Sequence, residues 1–396
     1  MKIAGNPIKF TFRRGNLLLR KLKLWFKHQA GWVSVPVIIP YRGFGREGYY
    51  YISGRVSEDK GLAEPREFHS IWQNMLAMIK RYVSDVIPCV KIKIVFYGQE
   101  KTVITNDEGF FEATFSLAPG IELNHQWHKV RLILLDDITG NQKLTEATGE
   151  IQTCTPATSF GIISDIDDTI LISHSTNFIK KLRLLLMKNA VTRLPFEGVA
   201  AFYRALYKGD NSQSINPFIF ISSSEWNLYD LLIDFFNFRK IPKGTFMLDD
   251  LRKSIFKKKW RKSRSHMHKS DKIRMVINIY KEISFVLIGD SGQKDAEIYS
   301  EISYEFPGRI KCMYIRDVKK SRKGVVKNIA EELKKSGVEM ILIKNTAEAA
   351  IHAVNKHLIH PDNLKDILKE INKDEQAPTE LEELFSIPGP KEGLKS

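Results

Sequence analysis

The chain has 396 residues, enough for two domains, and its 43% hydrophobic and 27% charged content is that of a soluble globular protein. A formal net charge of +15 points to an anionic partner: nucleic acid, an acidic membrane surface or a phosphorylated substrate. Cys89, Cys154 and Cys312 are odd in number and far apart, which fits a reducing compartment and argues against a disulfide scaffold.

Residues 1–30 contain no acid and form a basic head. Within it Leu18, Leu22, Trp25 and Phe26 recur at helical spacing, with Arg20, Lys23 and Lys27 on another face. Such a basic amphipathic helix reads either as a membrane-surface anchor or as a helix docked on the protein's own surface. Arg20, Lys21, Lys23 and Lys27 interrupt the leucines, so the segment lacks the apolar core of a signal peptide. No apolar run has the length to span a bilayer. The expectation is a cytoplasmic protein, peripheral on a membrane if the head binds one.

Residues 31–155 read as a β-domain. Val35–Ile39, Tyr49–Val56, Val90–Phe96, Thr102–Thr105, Phe110–Phe115, Val130–Leu135 and Glu146–Ile151 are short and rich in β-branched or aromatic residues, with turn signals between them. A helix over about 68–82 interrupts them. The pattern predicts an antiparallel β-sandwich of immunoglobulin-like or transthyretin-like size. Its His125 and His128 have no convergent partner and read as surface residues.

After Cys154-Thr-Pro-Ala-Thr158 strands alternate with helices from Phe160 onward, which predicts an α/β domain over 156–360 with a parallel sheet and flanking helices. Residues 361–396 are acid-rich and read as a flexible tail. Four features stand at strand ends or helix starts. The run Gly161-Ile-Ile-Ser-Asp-Ile-Asp-Asp-Thr-Ile170 delivers Asp165, Asp167, Asp168 and Thr169 into a turn. Phe218-Ile-Phe-Ile-Ser222 is an apolar strand ending on serines, and His268-Lys269 precedes a helix. Phe285-Val-Leu-Ile-Gly-Asp290 is an apolar strand running into Asp290 and then Asp295. Ligands of open parallel sheets bind at the carboxyl ends of the strands, where all four features fall.

This set resembles the haloacid dehalogenase (HAD) superfamily, whose fold would be a Rossmannoid parallel sheet. It is most similar to one branch, the phosphatidate phosphatase App1-like catalytic domain. The resemblance rests on Ser164-Asp-Ile-Asp-Asp-Thr169, Ser222-Ser-Ser-Glu-Trp-Asn-Leu-Tyr229, His268-Lys269 and Leu287-Ile-Gly-Asp-Ser-Gly-Gln-Lys-Asp-Ala-Glu-Ile-Tyr299. Phe306-Pro-Gly-Arg309 and Tyr314-Ile-Arg-Asp317 add to it, and it covers about 155–320. Glu225 departs from the family, which has proline there. The resemblance implies an aspartyl-phosphate route with Asp165 as nucleophile. Asp167 would be general acid and then base. Ser222 and Lys269 would hold the phosphoryl oxygens, with Lys272 as the fallback for Lys269. Mg²⁺ would be held by Asp165, the carbonyl of Asp167 and Asp290, with Asp295 reaching it through a water. Thr169 and Asp168 would fix the turn.

Two insertions would set the substrate: 171–200, with an apolar and basic segment Phe178–Met187, and 251–269, with Lys257-Lys-Lys-Trp-Arg-Lys-Ser-Arg264. The second reads as a solvated loop, as an interfacial rim facing an anionic bilayer, or as a single-strand nucleic-acid contact. No nucleic-acid module accompanies it, so no nucleic acid is expected. The expected activity is Mg²⁺-dependent hydrolysis of phosphatidate, or a similar phospholipid monoester, at an anionic membrane surface. A phosphatase of soluble phosphomonoesters or phosphoproteins is one rival, and a catalytically idle binding module is the other.

Overall fold

The computed structural model of the chain describes residues 35–58, 86–117, 123–140, 144–166, 197–211, 213–249 and 261–376. The basic head, the helix expected over 68–82, Asp167, Asp168, Thr169, most of the 171–200 insertion and the basic run up to Trp260 lie outside these residues. The chain divides between Thr155 and Pro156 into two compact units.

The first unit contains β1 (Pro36–Arg46), β2 (Tyr49–Glu58), β3 (Lys91–Phe96), β4 (Gln99–Ile104), β5 (Phe110–Phe115), β6 (Trp127–Leu134) and β7 (Glu146–Gln152). Period-two alternation explains which way they face. Ile92, Ile94 and Phe96 of β3, Phe111 and Phe115 of β5, and Val130 and Leu132 of β6 turn into one core with Ile52 and Val56. Tyr97 and Gly98, with φ of 47° and 78°, make the tight turn from β3 to β4, a conformation in which both central residues need positive φ.

The expected sandwich of two antiparallel sheets is corrected here. The seven strands form one mixed sheet in the order β4-β3-β6-β7-β1-β2-β5. The link is a parallel pairing of β1 with β7 at Gly43↔Ile151 and Phe44↔Gln152, beside a register shift in β1 between Tyr41 and Phe44. Gly43 permits it: a Cβ there would lie 2.1 Å from the carbonyl oxygen of Tyr51. The sheet curls until its edges meet through side chains. Gln99 Nε2 donates to the Ser116 carbonyl at 2.8 Å, and Lys101 Nζ to the Thr114 carbonyl at 2.5 Å. His128 is also corrected: it is buried between Tyr97 Oη, 2.9 Å from Nδ1, and Thr153 Oγ1, 3.0 Å from Nε2.

The second unit holds six parallel strands: β8 (Gly161–Asp165), β9 (Phe218–Glu225), β10 (Gly244–Asp249), β11 (Phe285–Asp290), β12 (Ile310–Arg316) and β13 (Glu339–Ile343). Their order, β10-β9-β8-β11-β12-β13, is that of a doubly wound sheet that reverses between β8 and β11. The unbroken apolar runs seen in the sequence belong to the central strands, buried on both faces: every residue of β11 is buried. Asn216, itself fully buried, sets where β8 and β9 begin. Its Oδ1 accepts the amides of Ser159 and Phe160, and its Nδ2 donates to the Leu206 carbonyl.

The described helices are α1 (Val199–Lys208), α2 (Tyr229–Phe238), α3 (Arg261–Ile279), α4 (Asp295–Glu305), α5 (Lys323–Lys335), α6 (Thr346–Asn355) and α7 (Asn363–Gln376). The last of these corrects the first part of the tail expected over 361–396, and residues 377–396 lie outside the described residues. Its Ile367 is 1% exposed, and Glu370 and Asp374 hydrogen-bond to α1 and the residue before it. Among the described residues no helix is long and apolar enough to cross a membrane.

Candidate active site

The carboxyl ends of β8, β9 and β11 flank the reversal point of the sheet, and four of the expected site residues converge there. Asp165 closes β8 and Asp290 closes β11, while Asp295 opens α4 five positions later. Oxygens of the three carboxylates lie within 4.8 Å of one another. Lys269, on α3, reaches into the group: its Nζ lies 2.8 Å from Asp165 Oδ1 and is also bonded to Asp295 Oδ1. Both Lys269 and the Asp290 side chain's residue are largely buried, and Asp295 is wholly so.

Local sequence accounts for each placement. Oδ1 of Asp290 accepts the amides of Gly292 at 2.6 Å and Gln293 at 3.2 Å, the side-chain-to-backbone turn typical of aspartate. Oδ2 of Asp295 accepts the Asp290 amide at 3.1 Å, so the two ends of the loop are pinned by its own acids. Gly289 makes room for this: a Cβ at that position would sit 2.3 Å from Asp295 Oδ2. Ser164 Oγ pairs with Tyr203 Oη at 2.8 Å beneath Asp165, and Tyr299 Oη donates to the Ile288 carbonyl at 3.0 Å.

The charges are coupled. Burial works to lower the pKa of Lys269, but the flanking Asp165 and Asp295 outweigh it and hold the ammonium above the ordinary lysine value. Burial raises the Asp295 carboxyl, Lys269 offsets part of that, and the neighbouring Asp290 adds to it. Burial chiefly, then Asp295, Asp165 and Asp290, push the Tyr299 phenol well above its usual value, so it stays neutral under the cluster.

Three carboxylates with oxygens within 4.8 Å of one another, and one ammonium bonded to two of them, crowd negative charge in a buried space, a costly arrangement. The donor set is all oxygen, clustered and negative, and it fits a hard divalent cation. Asp165, Asp290 and Asp295 are the residues that could hold one.

Ser222 stands one residue past Ile221, the register partner of Asp165, and so at the carboxyl end of the adjacent strand. Lys272 is engaged elsewhere: its Nζ donates to the carbonyls of Ser222 and Met247, each at 2.9 Å, tying the ends of β9 and β10. Arg309 of the Phe306-Pro-Gly-Arg309 run lies at the opposite end of the sheet. It donates to the carbonyls of Ile277, Tyr280 and Ile283, closing the end of α3. Ser291 and Tyr203 were not singled out from the sequence. The serine lies inside the Leu287–Tyr299 run but carries no role there, and the tyrosine has only the apolar spacing of a core helix residue. Gly289 carried a signal, a glycine directly before a strand-end aspartate.

A doubly wound α/β unit with a buried carboxylate–lysine cluster at its reversal point defines the class. Residues 160–317 match the family model of the phosphatidate phosphatase APP1 catalytic domain. The chain is 26% identical over 328 residues to the phosphatidate phosphatase APP1 of Saccharomyces cerevisiae, covering 79% of this chain and 52% of that one. It is 25% identical over 302 residues to an uncharacterized protein of Schizosaccharomyces pombe, covering 72% of this chain and 47% of the relative. The chain thus spans about half the length of the curated relatives it matches. Among solved structures, a carbohydrate acetylesterase from Xanthomonas citri aligns with a TM-score of 0.24 at 10% identity, over 71% of this chain and 68% of that one. That likeness is too distant to carry an argument.

Proposed function

We propose that the second unit is a Mg²⁺-dependent phosphomonoesterase of the HAD type. Its substrate would be phosphatidate or a closely similar phospholipid monoester at a membrane surface. The observation that carries this reading is the cluster of Asp165, Asp290 and Asp295 around Lys269, inside the segment that matches a phosphatidate phosphatase family. In the proposed reaction Asp165 attacks phosphorus, the Asp165 O–P bond forms and the ester O–P bond breaks. Asp167 gives its proton to the departing oxygen. It then takes a proton from water, whose attack on the aspartyl-phosphate releases phosphate and restores Asp165.

Lys269 and Ser222 would hold the transferring oxygens, Lys269 already being poised beside the nucleophile. Asp165, Asp290 and Asp295 would hold Mg²⁺, which when bound offsets the repulsion between an anionic nucleophile and an anionic phosphoryl group. The test is phosphate release from phosphatidate vesicles, with and without Mg²⁺, beside soluble phosphomonoesters. Mg²⁺-dependent release that favours the vesicles is expected. Equal or better turnover of soluble esters, with no vesicle binding, would sink the lipid assignment. Asp165→Asn is expected to lower turnover by roughly a thousandfold or more with the fold intact. Persisting activity would remove Asp165 from the nucleophile role.

A further inference from the structure

The site sits beside an exposed basic rim that the proposed reaction does not use. Beyond β12 the chain runs through Val318, Lys319, Lys320 and Ser321, all exposed, and enters α5 with Gly324, Val325 and Lys327 exposed as well. Val318 and Val325 are each 45% exposed, large apolar side chains left in water among lysines. Lys294, on the loop between Asp290 and Asp295, is exposed too.

This rim is fastened to the catalytic loop. Ser291 Oγ accepts the amides of Val318 and Lys319, each at 3.0 Å, and the Ser291 amide donates to the Arg316 carbonyl at 2.8 Å. Arg322 pairs with Glu297 on the first turn of α4, which holds α5 against the same end. Of the neighbouring acids, Glu297 pairs with Arg322 and Asp317 with Lys323 at 3.6 Å, while Glu331 stands exposed one helical turn from Lys327. Lys294, Lys319, Lys320 and Lys327 are exposed, and so are the two valines of the same stretch.

We infer that the β12–α5 segment, Val318 to Lys327, with Lys294, is the face that seats on an anionic lipid surface and brings the carboxylate–lysine site to a substrate embedded there. The inference rests on the proposed phospholipid reading and names the surface through which it operates. The exposed valines and the lack of an aromatic decide in favour of lipid. Lysines supply a delocalised attraction to a charged plane, while the two valines can enter the headgroup region. The segment has no aromatic residue on which a nucleic-acid base could stack.

Amine-reactive footprinting of the full chain, read by mass spectrometry, tests it with phosphatidylcholine vesicles that do or do not contain phosphatidylserine, which is not a substrate. Lys319, Lys320 and Lys327 are expected to be protected by the anionic vesicles alone. Lys334 and Lys335, at the far end of α5, would react as before. A triple variant, Lys319→Gln with Lys320→Gln and Lys327→Gln, should partition onto those vesicles roughly a hundredfold less than the unaltered chain. Protection of Lys334 and Lys335 equal to that of Lys319, or undiminished binding by the triple variant, overturns the inference. So does protection by single-stranded RNA without protection by vesicles. Because phosphatidylserine is not hydrolysed, the footprint succeeds or fails whether or not phosphatidate is turned over.

Discussion

At the scale of single residues, the site is a problem of buried charge solved by close packing. Asp295 can lie against the backbone of β11 because position 289 has no side chain. Gly289→Ala should therefore displace the carboxylate, and the loss of phosphate release and of Mg²⁺ affinity is expected to exceed the loss of thermal stability. An unchanged Mg²⁺ titration would show that the displacement is harmless. The two lysines separate in the same way. Lys269→Met removes the ammonium that bridges Asp165 and Asp295 and is expected to cut turnover by roughly a hundredfold or more. Lys272→Met instead strands two buried carbonyls and should lower stability by about 1–3 kcal/mol, read by urea unfolding. Equal effects of the two on turnover would contradict this division. The sequence could rank the lysines only by motif position. It could not show that one helical turn moves the ammonium from carboxylates to carbonyls.

At the scale of elements, the helix α1 begins at Gly198 without a side-chain cap and without an acid in its first turn. Its orphan amides are met from α7: Glu370 Oε1 accepts the Ala201 amide at 3.1 Å, and Asp374 Oδ2 accepts the Gly198 amide at 2.8 Å. Glu370 also pairs with Arg204 at 2.5 Å. Glu370→Ala is expected to lower the stability of the second unit by about 1 kcal/mol, measured by denaturant unfolding. This is why composition misjudged the stretch Asn363–Gln376. Its acids look solvated in one dimension, yet two of them serve a helix start more than 160 positions earlier in sequence. The parallel strands, by contrast, were legible because burial on both faces leaves uninterrupted apolar runs such as Phe285-Val-Leu-Ile288. The strands of the first unit were legible too, but not their assembly. The β1–β7 pairing depends on one glycine and a shift in register, which alternation alone does not encode.

At the scale of the whole molecule, the +15 charge is not spread evenly, since the carboxylate cluster gathers acids while the loops beside it are basic. A cation that binds the folded cluster and not the unfolded chain must stabilise the fold by mass action, by about 2.7 kcal/mol at a hundredfold excess over its dissociation constant. Melting of the second unit is expected to shift upward with added Mg²⁺, and Asp290→Asn should abolish the shift. An identical shift in the variant would remove Asp290 from the cation site. The curled sheet of the first unit has its own consequence, one of solubility. An open sheet offers its edge strands as templates on which a second chain can grow. Here the carbonyls of Thr114 and Ser116 are already occupied by side chains reaching across from the other edge. Lys101 and Glu100 on that edge put charge where an incoming strand would have to lie. The same two side-chain bonds that close the curl therefore keep copies of the protein from adding to one another strand by strand.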